Sequence, residues 1–210
     1  ENTRSGLEIL IGVKRTIQSF VTQREEFMSK VPTLRPGALA TLRIGGEDFP
    51  VLFLHVKSLT DPRAWGLRDD MFRHVARLKR SLDKLAGPGN RHPFVALGDL
   101  NTMGLNAPYN NKSDLSGDEE IESLGKRLNA VNMRPLVRSH DLTWWNGSDN
   151  YFPGSKLDHV FADKGVNFKK FPGGAEVEVI GWPEKNTKTQ KRAWIDKHSD
   201  HALLYGEVHT

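Results

Sequence analysis

The chain has 210 residues, which is enough for one sizeable domain with its own core and short for two. It contains no cysteine, and this excludes disulfides, thiolate catalysis and cysteine-ligated zinc. A formal net charge of +4 is compatible with a polyanionic partner and equally with an ordinary solvated surface. No apolar run approaches the roughly 20 residues of a transmembrane helix, and we identify no signal peptide, so the compartment and the oligomeric state stay open.

Apolar runs of strand length alternate with helical patterns, which is typical of a mixed α/β domain. The first run spans 7–13. The next two, 38–44 and 49–56, are separated by a glycine-bearing connection and predict an antiparallel hairpin. Further strands are predicted at 94–97, 142–145, 157–162, 177–180 and 202–208.

Two helices are predicted between these strands. In the first, apolar residues recur at spacings of four and three over 67–85. Its opposite face is basic, which favours contact with water, with phosphate binding as the alternative; the basic residues are Arg68, Arg73, Arg77, Arg80 and Lys84. The second helix follows a capping-box pattern at Ser116 and Glu119 and carries an apolar stripe over 121–131. The polar segment 102–117 is predicted to be a long functional or mobile loop.

Side chains that can carry chemistry lie inside or at the ends of the strand-like runs. They are His55 in LFLHVKS, Asp99 and Asn101 in ALGDLNT, Asp158 in SKLDHVFA, and Asp200 with His201 in HSDHALL. Each alone has an ordinary explanation as a turn cap or a hydrogen-bonded core group. Because burying such groups beside core strands is costly unless they are paired or bind an ion, their repetition predicts that they converge. Oxygen ligands with histidines fit a metal-dependent phosphoryl site.

In this order, the four motifs resemble the endonuclease/exonuclease/phosphatase superfamily, which includes deoxyribonuclease I, exonuclease III, neutral sphingomyelinases and inositol polyphosphate 5-phosphatases. The resemblance covers roughly 34–208. It implies a two-sheet α/β sandwich flanked by helices, with the active site at one edge. It also implies a phosphodiesterase that depends on Mg²⁺, or on Mn²⁺ or Ca²⁺.

The resemblance implies an acid–base role for several positions. Asp99 resembles the aspartate that orients or deprotonates the attacking water. Asp158 resembles the carboxylate that pairs with a histidine, and His201 resembles that histidine, which contacts the phosphate or acts as a base. His55 resembles a histidine that serves as the general acid for the leaving oxygen.

The resemblance also implies binding roles. Asp200 resembles a metal ligand, and Asp99 is assigned to the metal as well. Asn101 is counted among the catalytic residues and resembles the residue that bonds the scissile phosphate, a contact that His201 shares. Arg35, in LRPGALATL, resembles an arginine that meets the substrate backbone.

One part of the family pattern is not matched. The family begins with two strands that carry an asparagine and then a metal-binding glutamate. Glu1 and Asn2 are not preceded by an apolar strand, and QREE at 23–26 follows the run at 7–13 and is therefore in the wrong order. We expect residues 1–210 to be a single domain that lacks its N-terminal segment and is a poor catalyst by itself.

The substrate is the least determined expectation. Basic residues in the predicted loop 185–192 either grip a nucleic-acid backbone or are simply solvated. Trp144 and Trp145 either stack on bases, insert into lipid, or belong to the core. Nucleic acid is our first choice, and a phospholipid or inositol phosphate is the second. A non-catalytic binding module of the same fold is a third reading, which the retained acid–base residues argue against.

Overall fold

The structure is a computed structural model that describes residues 9–109, 113–148 and 154–209. Its α-helices are α1 (Pro62–Leu85), α2 (Gly117–Asn129) and α3 (Lys188–Lys197). Its strands are β1 (Ser19–Arg24), β2 (Gly37–Ile44), β3 (Glu47–His55), β4 (Val95–Asp99), β5 (Met133–Pro135), β6 (Asp158–Asp163), β7 (Glu178–Ile180) and β8 (Leu203–Tyr205). None of the helices in the described ranges has the length and apolar character needed to cross a bilayer.

Six strands form one mixed sheet in the order β1-β2-β3-β4-β6-β5, and β7 pairs with β8 in a second sheet. The predicted hairpin is confirmed, because β2 pairs antiparallel with β3. The pair β3 and β4 is parallel and is joined through α1, as a crossover requires. The predicted α/β arrangement of two sheets with flanking helices is therefore present.

The large sheet has an apolar core on each face. Alternation along β4 sends Ala96 toward the cluster formed with the buried side of α1 and α2, whereas Val95 belongs to the cluster shared with Val177 next to the second sheet. On α1, Met71 and Val75 are almost completely buried. Burial of each such side chain contributes about 1.5–3 kcal/mol, so the apolar stripe holds the helix on the sheet.

Local sequence signals fix both long helices. Asp61 caps α1, where its carboxylate accepts hydrogen bonds from the amides of Arg63 and Ala64, each at 3.1 Å. The capping box predicted for α2 is present, with Ser116 and Glu119 bonded reciprocally. The loop before α2 contains a bridge between Leu105 and Leu115, and its residues 110–112 lie outside the described ranges.

The N-terminal strand differs from the prediction. Residues 9–13 take no strand conformation and Leu10 is 96% exposed, while residues 7 and 8 lie outside the described residues. The first strand is instead β1, which pairs along the whole of its length with β2. An apolar run forms a strand only when it pairs with another strand, and residues 9–13 pair with none in the described ranges.

Three further predictions are wrong in detail. The segment 185–192 is not a loop throughout, since α3 begins at Lys188 after a capping box formed by Thr187 and Gln190. The run 142–145 forms only isolated bridges, made by Trp144 with Ser155 and with His201. Arg68, assigned to the solvated face of α1, is completely buried.

Candidate active site

Three neighbouring strands bring their polar ends together. The register pairs His55 at the end of β3 with Asp99 at the end of β4, and Asp99 with Asp158 at the start of β6. Because side chains alternate along a strand, Asp99 and Asp158 share a face with the residues between the two sheets, and His159 points the other way. Adjacent strands and matching register therefore bring three of the four predicted motifs together, and His201, which precedes β8 of the second sheet, joins them through its contact with Asp158.

Asp158 and His201 are joined by a direct side-chain hydrogen bond. His201 Nδ1 lies 2.9 Å from Asp158 Oδ2, and an ionised carboxylate only accepts, so Nδ1 carries the proton and donates it. Nε2 is then directed to the other side, where Asp99 Oδ2 lies 4.0 Å away. Although burial lowers the pKa of His201, the bond to Asp158 and the neighbouring carboxylates raise it above its usual value.

The backbone of Asp158 is held from both sides. Its amide donates to Thr143 Oγ1 at 2.9 Å, and Thr143 also accepts from the amide of Leu157 at 3.0 Å. Arg138 donates through Nη1 to the carbonyl of Asp158 at 2.6 Å. Thr143 is completely buried, so this clamp is shielded from water. It fixes the strand residue from which the carboxylate reaches His201.

Asp99 is held by Asn101. Asn101 donates its amide to Oδ1 at 3.0 Å and its side-chain Nδ2 to Oδ2 at 2.9 Å, from a backbone with φ of 44°. Burial and the like charge of Asp158 nevertheless raise the pKa of Asp99 to about 6. The carboxyl group therefore ionises just below neutral pH, which is the range in which a general base is effective.

His55 lies on the opposite side of Asp99 from His201. Its Nε2 is 3.4 Å from Asp99 Oδ2. Burial, followed by the charges of Arg35 and His201, lowers the pKa of His55 to about 4. His55 is therefore neutral at pH 7, and its contact with Asp99 is not an ion pair. Arg35 and His55 both line a cavity that opens beside the strand ends.

Asp200 is anchored by tryptophans. Its Oδ2 accepts from the indole of Trp144 at 2.9 Å, and its carbonyl accepts from Trp145 N at 3.0 Å and from Trp182 Nε1 at 3.1 Å. Trp145 is buried in the core and Trp144 is half-buried. The negative charge of Asp200 is close enough to His201 to raise the pKa of that histidine.

Asp99 and Asp200 are the predicted metal ligands. Within the described residues, no group of three or more His, Asp or Glu side chains is arranged to hold an ion. Asp99 uses both oxygens for Asn101, and Asp200 uses one for Trp144. Their predicted role as metal ligands stays a prediction.

Thr143 and Arg138 were not among the residues predicted from the sequence. Thr143 is a polar residue inside the apolar LTWW run, and this is the one signal that marks it. Arg138 lies in a segment with no strand periodicity, so only the fold brings it to the carbonyl of Asp158.

Residues 10–201 match the sequence model of the Endonuclease/Exonuclease/phosphatase family. The chain belongs to this family. Members of the family generally hydrolyse phosphoester bonds, and the convergent carboxylates and histidines described above lie within the matched region. A search of curated proteins gives no significant sequence match.

Solved structures share the fold. TDP2 from D. rerio, complexed with a single-strand DNA product, has a TM-score of 0.56 at 15% identity over 92% of this chain and 67% of that one. Truncated TDP2 from Caenorhabditis elegans gives 0.55 at 16% identity over 92% and 65%. A functionally unknown conserved protein from Enterococcus faecalis V583 gives 0.52 at 14% over 92% and 67%. The chain thus spans about two thirds of the length of these structures.

Proposed function

We propose that the chain carries the catalytic residues of a divalent-metal-dependent phosphodiesterase that acts on nucleic acid. The observation that carries the proposal is the row formed by His55, Asp99 and His201, with Asp158 bonded to the far nitrogen of His201. A carboxylate between two imidazoles can take a proton from water on one side of a phosphate while a second group donates on the other. Polar groups with a purely structural role would not require a carboxylate placed between two imidazoles.

Asp99 is the proposed general base. At pH 7 it is mostly ionised, since its pKa is about 6, and it accepts the proton of the attacking water. Asn101 holds the carboxylate through two hydrogen bonds, so the orientation of the base is set before substrate arrives. Asn101 Nδ2 also donates to the carbonyl of Val56 at 3.2 Å, so the proposed contact of Asn101 with the scissile phosphate requires that Nδ2 gives up one of its two bonds.

His201 is the proposed proton donor. Asp158 keeps the imidazole in the tautomer with Nδ1 protonated and stabilises the imidazolium. The raised pKa keeps a protonated fraction near neutral pH, and Nε2 then donates to a phosphate oxygen or to the leaving oxygen. His55 is neutral in the free protein, so its role as general acid requires that bound substrate raises its pKa.

Two observations support a polyanionic substrate. Arg35 lies near enough to His55 to lower the pKa of that histidine. Its guanidinium is therefore close to the row and can bind a phosphate oxygen there. The D. rerio protein with the same fold was solved with a single-strand DNA product. A divalent cation would relieve the repulsion between Asp99 and Asp158 and would stabilise charge on the phosphate.

Hydrolysis of labelled single-stranded DNA and of bis(p-nitrophenyl) phosphate, with Mg²⁺ or Mn²⁺ and with EDTA, tests the proposal. We expect slow metal-dependent turnover that Asp158→Asn lowers by about 10³-fold, within the range for acid–base catalysis. Asp141→Asn is the matched control, because the Asp141 side chain is 80% exposed. Equal turnover by Asp158→Asn and the unchanged chain, or none in either, would overturn the proposed function.

A further inference from the structure

A groove leads away from His55 along the start of α1. Its volume is about 700 Å³, and it is lined by the segment 31–35, by the residues that follow β3, and by the first turn of the helix. This volume lies within the range of cavities that hold drug-sized ligands. The groove therefore has room for a substrate portion beyond the scissile phosphate itself.

The groove is basic. Arg35, Lys57 and Arg63 line it, and Asp61 is the one carboxylate among its described lining residues. Asp61 is occupied as the cap of α1, where it accepts from two helix amides. Arg63 lies in the first helical turn, where a cation is unfavourable beside the positive end of the helix dipole. An anion bound in the groove would offset this unfavourable arrangement.

A buried ion pair fixes the loop that borders the groove. Arg68 donates to the carbonyls of Lys57, at 3.2 Å, and of Leu59, and it bonds both oxygens of Glu120, at 2.8 and 3.1 Å. Both side chains of the pair are buried. Because Arg68 binds the carbonyls on the inner side of the loop, the conformation of the loop is set before any ligand binds.

Leu59 is an apolar residue in an unfavourable setting within this loop. Its side chain is 54% exposed and its φ is 84°, a conformation that a leucine rarely adopts. Residues that their surroundings hold in a strained backbone conformation are concentrated at active sites and ligand-binding sites. An apolar side chain and cations that line the same groove match a nucleotide, which joins an anionic phosphate to a flat base.

We propose that this groove binds the nucleotide next to the scissile phosphate of a single-stranded nucleic acid, with Lys57 and Arg63 at its phosphate and Leu59 against its base. This inference rests on the proposed function and specifies its substrate: a strand with at least one neighbouring nucleotide, rather than a small phosphate ester. Only an unpaired base exposes a face to such a contact, which selects single strands. The cations favour this occupant over an uncharged lipid surface.

Equilibrium binding of a fluorescein-labelled oligothymidylate, measured by anisotropy in EDTA over a range of salt concentrations, tests the groove without turnover. The double variant Lys57→Gln/Arg63→Gln is expected to bind about tenfold or more weakly at low salt. Its plot of log affinity against log salt should be shallower by about 1.4, because each phosphate contact on a single strand contributes about 0.7. The control Arg80→Gln/Lys84→Gln removes the same charge from the far end of α1, about 25 Å away, and should leave both values unchanged.

Leu59→Asn separates the apolar contact from the charges, because asparagine tolerates the positive φ. It should weaken oligonucleotide binding by several-fold and leave the salt slope unchanged. Equal losses in the groove and control double variants would overturn the proposal. A second result would also overturn it: the chain does not bind the oligonucleotide but binds phosphatidylserine vesicles, and Leu59→Asn abolishes the vesicle binding. Loss of turnover with intact groove binding would instead count against the proposed function alone.

Discussion

The two histidines beside Asp99 have nearly equal exposure and opposite pKa shifts. The side chains of His55 and His201 are 33% and 32% exposed. The pKa of His55 is lowered to about 4, whereas that of His201 is raised above its usual value. Burial lowers both, so the difference comes from the neighbours.

The neighbours differ in charge and in bonding. His201 has a carboxylate at hydrogen-bond distance, Asp158, and further carboxylates nearby. For His55, the charges of Arg35 and His201 outweigh the opposite effect of Asp158 on the pKa. His201 therefore holds a proton more readily than His55, although Nε2 of each ring lies within 4.0 Å of Asp99 Oδ2. The contacts of each ring therefore determine which histidine holds the proton.

Asp158→Asn should have the largest effect, because it removes the group that makes the two histidines different. We expect a loss of about 10³-fold in kcat and a fall in the pKa of His201. Steady-state kinetics and a histidine NMR titration of the same sample measure both. A large loss of kcat with an unchanged pKa of His201 would contradict the assigned role of Asp158.

The pH profile should report Asp99 and His201 together. Activity needs Asp99 ionised and His201 protonated, so kcat/KM should fall on the acidic side, by about tenfold per unit, as Asp99 takes up a proton. The pKa of Asp99 is about 6 in the metal-free chain, and a bound cation would lower it. The value of kcat/KM should also fall on the alkaline side, above the ordinary histidine range, as His201 loses its proton. A kcat/KM that does not change between pH 4 and 9 would be inconsistent with this pair of groups. The control Asp141→Asn should show the same pH profile as the unchanged chain.

Arg35→Gln should reduce the difference between the histidines from the other side. Removing the guanidinium takes away a charge that lowers the pKa of His55, so this pKa should rise from about 4. Loss of the proposed phosphate contact should raise KM by about tenfold and should lower kcat by less than that. Arg43→Gln, on an exposed pair of the β2–β3 hairpin, is the control. A KM that does not change would remove Arg35 from the substrate site.

Thr143→Val should have the smallest effect on the chemistry. It leaves the amides of Leu157 and Asp158 without their buried acceptor, which should lower the free energy of unfolding by about 1–3 kcal/mol. The activity should fall several-fold as Asp158 shifts, and Thr143→Ser should restore both. Chemical denaturation and kcat measure the two parts. Full activity in a destabilised Thr143→Val would limit Thr143 to a purely structural role.

The strand-end motifs could be predicted from sequence because two local signals agree there. An apolar run ending in GDLN or preceded by SDH fixes both the strand and the polar side chain at its end. Adjacent strands then need only the correct register to bring Asp99 and Asp158 together. The capping box of α2 was predictable for the same reason, since it depends on two residues three positions apart.

Features that depend on distant partners could not be predicted. Arg68 has the spacing of a surface residue, yet Glu120, which is 52 positions away, accounts for its burial. The carbonyl contact of Arg138 likewise depends on how β6 packs. Strand β1 is short of apolar residues and is defined by its pairing with β2. Periodicity carries no information about such contacts.

A histidine NMR titration of the metal-free chain tests the account most directly. Long-range ¹H–¹⁵N spectra, assigned with His55→Asn and His201→Asn, give the pKa and the tautomer of each ring. We predict that His201 titrates above 6.5 with Nδ1 protonated, and that His55 titrates near 4. Two histidines that both titrate near 6.5, or a His201 protonated on Nε2 in its neutral form, would contradict the assignment of Asp158 and His201 as the proton-holding pair.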